Sequence, residues 1–176
     1  MNIRSYKSST PLIHDSAYID PSACVIGDIT IGADASVWPM AVVRGDVNKI
    51  SIGARTNIQD GAILHVTCDS ELIPGGKPLT IGDDVTVGHS AVLHACTIED
   101  LCLIGMNATV LDGATIKSRC MVAAGSVVSP GKVLESGYLY VGAPAKQARP
   151  LKEAEIAYLE FSAQHYVELK NDYLSQ

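Results

Sequence analysis

The sequence predicts an all-β solenoid followed by a single α-helix, and three observations favour this fold class. Branched aliphatic residues recur every six positions in two long runs of the 176-residue chain. Several of them are followed directly by glycine, as in the segments VIGD, TIGA, SIGA and LIGM. After residue 145 the apolar spacing changes to three and four, which is typical of a helix. A six-residue period fits neither a helix nor an alternating strand, and it indicates a unit of one short strand and one corner.

The two runs of the repeat lie towards the two ends of the predicted solenoid. We expect their side chains to fill a narrow interior, because aromatic residues make up only 5% of the chain and hydrophobic residues 47%. The first run consists of Ile13, Ile19, Val25, Ile31, Val37 and Val43. The second run consists of Ile98, Ile104, Val110, Ile116, Val122 and Val128.

The repeat is irregular between the two runs. The step from Val43 to Ile52 is nine residues, so the segment RGDVNK is expected to bulge. We take the next inward residues to be Ile58, Ile63, Ile81, Val87 and Val92. On this assignment two steps are only five residues long, and the eighteen-residue step before Ile81 contains an inserted loop of about twelve residues rich in Pro and Gly.

The repeat resembles that of the hexapeptide-repeat proteins, which fold as left-handed parallel β-helices with three hexapeptides in each triangular coil. The resemblance covers roughly residues 11–145, and it implies a β-helix domain over residues 1–145. The same coil serves acyltransferases and proteins of other activities, so the fold alone does not define the function.

Residues 146–176 are predicted to form an amphipathic helix that packs on the solenoid. Pro150 suits the first turn of this helix. One face of the helix would carry apolar residues at spacings of three and four, namely Ile156, Leu159, Ala163, Tyr166, Leu169 and Tyr173.

Composition excludes several classes of function. The net charge is −6, from 13 basic and 19 acidic residues, and no basic cluster indicates a nucleic-acid surface. The first twenty residues lack the apolar core of a signal peptide, and no segment is long and apolar enough to span a membrane. The five cysteines form no CxxC pair, which argues against a zinc–cysteine site. We therefore expect a cytoplasmic protein with no nucleic-acid or membrane partner.

Three histidines have the spacing of a metal site that is shared between chains. His65 and His94 are 29 residues apart, which equals one shortened coil of 17 plus the twelve-residue loop, so they stack on successive coils about 4.8 Å apart. His89 lies one side of the triangle away from His94, roughly 16 Å for five residues. Zinc binds nitrogen at ~2.0–2.1 Å, so one chain cannot bring all three to one ion. A homotrimer can do so, with one site at each interface.

The segments around these histidines resemble the γ-class carbonic anhydrases. The matching segments are RGD at 44–46, NIQDGAILH at 57–65 and GHSAVLH at 88–94. The resemblance implies that His65, His89 and His94 bind the metal across trimer interfaces. It also implies that Arg44 and Asp46 form salt bridges between subunits, and that Gln59 and Asp60 lie beside the metal-bound water.

The implied reaction is the reversible hydration of CO₂ to bicarbonate. Three neutral nitrogen donors suit Zn²⁺, and Fe²⁺ or Co²⁺ are compatible with the same set. Such an ion lowers the pKa of a bound water towards ~7 and so supplies a nucleophile.

The chain departs from the family pattern where a proton would leave the site. Val47 and Cys68 occupy positions at which the archetypal enzymes carry acidic residues. Asp69, Glu71 or Tyr140 could carry the proton instead, and Tyr140 lies in a segment, GYLYVGAPAK, that resembles one near the metal in the family. Slow or absent CO₂ hydration is therefore compatible with the sequence.

Other interpretations stay open at this point. A hexapeptide acyltransferase would use one histidine as a base beside an acyl-CoA, and a thioesterase would use the metal for hydrolysis. A non-catalytic metal-binding trimer is a third alternative. Arg44 and Asp46 could be an ordinary exposed ion pair, and Tyr138 and Tyr140 could simply cover the end of the solenoid. His14 and His165 lack metal-site context and are expected to be structural or surface residues.

Overall fold

The computed structural model describes residues 2–176, which form short β-strands wound into a triangular coil and one C-terminal helix. The helix is α1 (Glu153–Leu174). The strands are β1 (Asn2–Arg4), β2 (Leu12–Ile13), β3 (Tyr18–Ile19), β4 (Cys24–Ile31), β5 (Ser36–Val37), β6 (Val42–Ile52), β7 (Asn57–Ile58), β8 (Ile63–His65), β9 (Leu79–Ile81), β10 (Thr86–Val87), β11 (Val92–His94), β12 (Thr97–Ile98), β13 (Leu103–Ile104), β14 (Thr109–Val110), β15 (Thr115–Ile116), β16 (Met121–Val122), β17 (Val127–Val128), β18 (Val133–Leu134), β19 (Tyr138–Val141) and β20 (Lys146–Pro150).

Each side of the triangle is a parallel sheet in which successive coils are hydrogen-bonded. Side A runs through β1, the first half of β4, the first half of β6, β8, β11, β14 and β17. Side B runs through β2, the second halves of β4 and β6, β9, β12, β15 and β18. Side C runs through β3, β5, β7, β10, β13, β16 and β19. The predicted left-handed parallel β-helix is confirmed.

The aliphatic residues of the repeat form the interior, as predicted. Val25, Val37 and Val43 are fully buried, and so are Ile104 and Val122. Equivalent residues of successive coils are paired, so the interior is built of stacked aliphatic side chains. Each six-residue unit therefore contributes one side chain to a continuous apolar column.

The assignment of Ile63 and Val92 as inward residues is wrong. Leu64 and Leu93 are fully buried, whereas the side chain of Ile63 is 47% exposed on the outside of side A. The step of six residues is therefore kept from Ile58 to Leu64. The shortened steps come one corner later, and consequently His65 directly follows an inward leucine.

Both insertions are present where the repeat was interrupted. Gly27 pairs with Gly45 and Ile29 with Ile50, so three extra residues bulge within β6. The longer insertion is a loop between β8 and β9, whose base is closed by antiparallel hydrogen bonds between Thr67 and Lys77.

The helix begins later than predicted. Residues 146–150 form β20, which pairs antiparallel with β19, so the prediction of helix from residue 146 is wrong and Pro150 lies in a strand. The helix then runs back along side C. Leu159, Ser162 and Ala163 are buried against the solenoid.

The far end of the helix is attached by aromatic and ionic contacts. Trp38 packs edge-on against Tyr166 and Tyr173 of α1, with ring centroids 5.4 and 5.2 Å apart. Lys170 is only 2% exposed, and its ammonium lies 2.8 Å from the carboxylate of Asp34. The hydrogen bond from Lys170 lowers the pKa of Asp34. No helix within residues 2–176 is long and apolar enough to cross a membrane.

The buried ammonium of Lys170 generates a prediction about stability. Replacing Asp34 by Asn removes the counter-charge, and we expect the free energy of unfolding to fall by about 1–3 kcal/mol, less than for a fully buried pair because Asp34 is partly exposed. Glu135→Gln, which removes an exposed pair with Lys117, is the matched control and should change the free energy of unfolding much less, because solvent screens this pair. Chemical denaturation at one protein concentration measures both variants. An equal loss in the two would contradict the role of Lys170.

Candidate metal centre

Two of the predicted metal ligands lie side by side at one corner of the solenoid. His65 ends β8 and His94 ends β11, and the two residues are direct partners in the parallel register. His65 Nδ1 is 3.2 Å from His94 Nε2. The 29-residue spacing therefore places the imidazoles in contact, as predicted.

A carboxylate lies behind each of these two imidazoles. His65 Nε2 is 3.0 Å from Asp46 Oδ1, and His94 Nδ1 is 2.6 Å from Asp112 Oδ1. Burial acts to raise the pKa of both carboxyls, but the hydrogen bonds that they accept hold the pKa of Asp46 and of Asp112 below the usual value. The two groups are therefore ionised acceptors. A neutral imidazole that donates its N–H to such a carboxylate has its second nitrogen as an acceptor, and in both residues that nitrogen faces the other ring.

The two facing nitrogens fit a tetrahedral metal ion. Two lone pairs that face each other at 3.2 Å repel unless a cation or a proton lies between them. Two nitrogen ligands at ~2.0–2.1 Å from a tetrahedral Zn²⁺ are about 3.3–3.4 Å apart. The observed separation is close to this value. His65 and His94 are thus arranged as two ligands of such an ion.

The third predicted ligand lies at another corner. His89 follows β10 and precedes β11, so it belongs to the same coil as His94 but lies at the opposite end of that strand. Its Nδ1 is 2.8 Å from Asp60 Oδ2, which leaves Nε2 available. Within residues 2–176 no three His, Cys, Asp or Glu side chains are grouped to hold an ion.

The Gln-Asp pair lies at the corner of His89. Gln59 is 5% exposed, and its Nε2 donates a hydrogen bond to Asn57 Oδ1 at 3.1 Å. Asn57 in turn donates to Thr86 Oγ1, which is 2.9 Å from Ser162 Oγ on the helix. This buried network holds the amide of Gln59 in place.

A groove opens beside this corner, between α1 and side C. It has a volume of about 570 Å³ and is lined mostly by apolar side chains, among them Met106, Leu139 and Phe161. Gln59 and His89 line one end of it. His165 lines the same groove, so this surface histidine lies nearer the candidate site than the sequence indicated.

Arg44 and Asp46 form an ion pair within the chain. Arg44 Nη1 is 2.5 Å from Asp46 Oδ2, and the other carboxylate oxygen of Asp46 contacts His65. The Arg44 side chain is 42% exposed, whereas that of Asp46 is 17% exposed. The pair therefore orients a candidate ligand and leaves part of the guanidinium on the surface.

The assignment of Tyr140 to the site is wrong. Its side chain is 3% exposed and points into the solenoid, where Tyr140 is the register partner of Val122. Its hydroxyl accepts a hydrogen bond from the Glu135 backbone N–H at 2.7 Å. The burial of the ring raises the pKa of Tyr140. Tyr140 closes the top of the apolar core and does not reach the candidate ligands.

Sequence reasoning missed Asp112 and its partner Thr67. Thr67 Oγ1 donates to Asp112 Oδ2, so the carboxylate behind His94 is also tied to the loop that follows His65. Asp112 lies 18 residues after His94, which is one regular coil. Extending the coil count by one turn would have found it.

Val47 and Cys68 occupy the two positions at which acidic residues for proton transfer were expected from the family resemblance. Val47 is 43% exposed and Cys68 is exposed, and both line a polar cavity of about 420 Å³ with Asp46 and Asp69. The carboxylate of Asp69 is engaged with the backbone N–H of Gly75 at 2.7 Å. The surroundings of Asp46 are therefore polar, and within residues 2–176 no glutamate lines this cavity.

Comparisons with known proteins indicate the family of the chain. Residues 95–130 match the family described as "Bacterial transferase hexapeptide (six repeats)". The chain is 55% identical to protein YrdA of Escherichia coli over 99% of this chain and 95% of that protein. It is 51% identical to a protein of Methanocaldococcus jannaschii named "Probable carbonic anhydrase", over 90% and 95% of the two chains. It is 46% identical to the mitochondrial gamma carbonic anhydrase 2 of Arabidopsis thaliana, covering 95% of this chain and 60% of the plant protein.

The fold also matches a solved structure over nearly its whole length. A hexapeptide transferase family protein from Anaplasma phagocytophilum superposes with a TM-score of 0.89 at 40% identity, covering 96% of each chain. Relatives above 50% identity along nearly their full length share one family. The coil, its histidine corners and these relatives lead to one conclusion: the chain belongs to the γ-class carbonic anhydrase-like family of hexapeptide-repeat proteins.

Proposed function

We propose that the chain forms a homotrimer that holds a divalent metal ion at each of three interfaces and hydrates CO₂ reversibly. His65 and His94 of one subunit and His89 of the partner subunit would bind the ion. Zn²⁺ suits the three nitrogen donors, and Fe²⁺ or Co²⁺ are alternatives.

One observation carries this proposal, the 3.2 Å contact between His65 Nδ1 and His94 Nε2. A purely structural pair of neutral histidines would share a proton between these nitrogens. Here Asp46 and Asp112 lie at the opposite nitrogens, so neutral imidazoles that donate to these carboxylates would direct both remaining lone pairs at a cation between them. The names of the relatives from Methanocaldococcus jannaschii and Arabidopsis thaliana support the same chemistry.

Side A supports the proposed trimer. Its outward surface carries a row of register partners, Val42, Ile63 and Val92, that lies between the two histidine corners. Met40 and Met106 are 69% and 54% exposed near the His89 corner. An exposed apolar strip of this kind is typical of a protein interface. Three parallel solenoids with side A towards a common axis would bring His89 of each subunit to the His65 corner of the next, because His89 and His94 share one coil.

The residues of the chain supply orientation around the reacting atoms. A bound metal ion would activate water for attack on the carbon of CO₂. Gln59 lines the adjoining groove, and because its Nε2 is engaged with Asn57, its amide oxygen is the group able to accept a hydrogen bond from water. Asp60 Oδ2 is 2.8 Å from His89 Nδ1, so Asp60 would also orient this ligand.

A mixture of two inactive variants tests the sharing of the site. His89→Ala keeps the His65 corner and His65→Ala keeps the His89 corner, so refolding them together should restore some complete interfaces. At equal amounts about one quarter of the interfaces would hold all three ligands, by the product of two halves. Metal analysis of the separated trimers measures this. Trimers that bind no more metal than either parent would show that the site is not shared.

The carboxylate behind His94 should control metal affinity. Asp112→Asn removes the carboxylate that contacts His94 Nδ1 and orients this ligand, and we expect the metal affinity to fall about 10–100-fold. Competition with a chromophoric chelator gives the dissociation constant. Asp83→Asn is the matched control, because Asp83 lies in an exposed ion pair away from the histidines. Unchanged affinity in Asp112→Asn would remove Asp112 from the site.

Because Val47 and Cys68 stand where acidic residues were expected, we predict that the transfer of a proton from the site to solvent is slow. Small imidazole buffers at high concentration should raise kcat for CO₂ hydration with little change in kcat/KM, because they relieve proton transfer only. Val47→Glu should act in the same direction. Stopped-flow measurement on the metal-loaded trimer follows both effects. A loaded trimer that never hydrates CO₂ but cleaves or transfers acyl groups of CoA thioesters would replace the carbonic anhydrase proposal with acyl chemistry.

A further inference from the structure

We infer that the loop between β8 and β9, residues 66–78, docks into the apolar groove of the neighbouring subunit, with Leu72 as its anchor. This inference rests on the shared-site trimer proposed above. It assigns an occupant to the groove and adds a second, metal-independent contact to each interface.

The groove has the character of a docking surface. Phe161, Met106 and Tyr158 line it and are 61%, 54% and 49% exposed. Large apolar side chains gathered in one concave surface are uncommon on a monomeric protein and indicate an interaction site. The groove begins at His89, one of the two corners that the metal site requires to meet.

The loop presents a complementary apolar group. Leu72 is 93% exposed at the tip of the loop. The loop is nevertheless internally hydrogen-bonded, since Thr67 pairs with Lys77 and the N–H of Gly75 donates to Asp69. Asn48 also donates to the Gly75 carbonyl at 3.1 Å. A leucine that is held outwards by an ordered loop loses little conformational entropy on docking.

The proposed metal site brings the loop and the groove together. Nitrogen ligands of one tetrahedral ion are about 3.3–3.4 Å apart, so His89 of the partner subunit must approach His65 closely. The loop starts directly after His65, and the five residues from Thr67 to Leu72 can span up to ~17 Å. The tip therefore lies within ~17 Å of Thr67, at the corner that the partner's His89 would approach and beside which the partner's groove begins. Loop and groove flank the same interface, which favours a second copy of this chain over an unrelated partner.

Cross-linking tests the contact directly. In a background that carries Cys24→Ser and Cys68→Ser, because these two thiols are not buried, Leu72→Cys and Phe161→Cys are combined in one chain and the trimer is mildly oxidised. Cys96, Cys102 and Cys120 are buried and do not compete. Each loop would join the helix of the next chain, so a denaturing gel should show covalent dimers and trimers. Leu12→Cys with Phe161→Cys is the matched control, because Leu12 is 68% exposed but lies three coils below β9. This control should give no covalent dimers or trimers.

Subunit exchange gives an independent readout. Leu72→Ser should accelerate exchange between differently labelled trimers by about tenfold or more, whereas Leu12→Ser should leave it unchanged. The substitution is on an exposed loop, so folding of the subunit is retained.

The outcomes separate the two proposals. A monomer in light scattering, with no metal bound, would overturn both the shared site and the docking. An intact, metal-binding trimer that gives no cross-link and normal exchange would overturn the docking alone and leave the groove open to an apolar ligand. Covalent dimers and trimers of equal intensity in the Leu12 control would also overturn it, because the cross-link would then be unspecific.

Discussion

Parallel pairing between successive coils is the constraint on which the rest of this structure depends. It places every residue about 4.8 Å from its counterpart one coil away. At most positions this stacks aliphatic side chains into the core, and at one corner it stacks His65 on His94. The same register keeps His89 at the far end of β11, so the geometry that creates half of a metal site also prevents the chain from completing it alone.

The surroundings of the histidines explain why this corner suits a cation. Each imidazole has an aspartate on one nitrogen, and the carboxylates of Asp46 and Asp112 stay ionised because they accept several hydrogen bonds. Arg44, which lies just before the bulge of β6, and Thr67, which lies on the loop, supply some of those bonds. The two insertions into the repeat therefore both serve the corner, since the bulge carries Asp46 and the loop carries Thr67.

The three sides of the solenoid are covered unequally. The helix protects side C through Trp38, through the Thr86–Ser162 contact and through the buried Lys170. The helix does not cover the groove beside His89, and Phe161 and Met106 remain exposed there. Side A has no such cover within residues 2–176, and its apolar row lies between the two histidine corners. An assembly through side A would bury this row and complete the metal site in one step.

The sequence by itself determined the coiled fold, because a six-residue period leaves one inward residue in each unit. It also determined that His65 pairs with His94, because a spacing of 29 residues equals one whole coil plus the inserted loop. Tertiary structure decided which of two neighbouring aliphatic residues is buried, since Leu64 points into the solenoid and Ile63 lies on its surface. It also decided that Asp112 lies behind His94, that β20 precedes the helix and that Tyr140 is inside. β20 and the burial of Tyr140 depend on contacts between segments far apart in the chain, which a local pattern does not show. The coil spacing does indicate the position of Asp112, but only the structure shows its contact with His94.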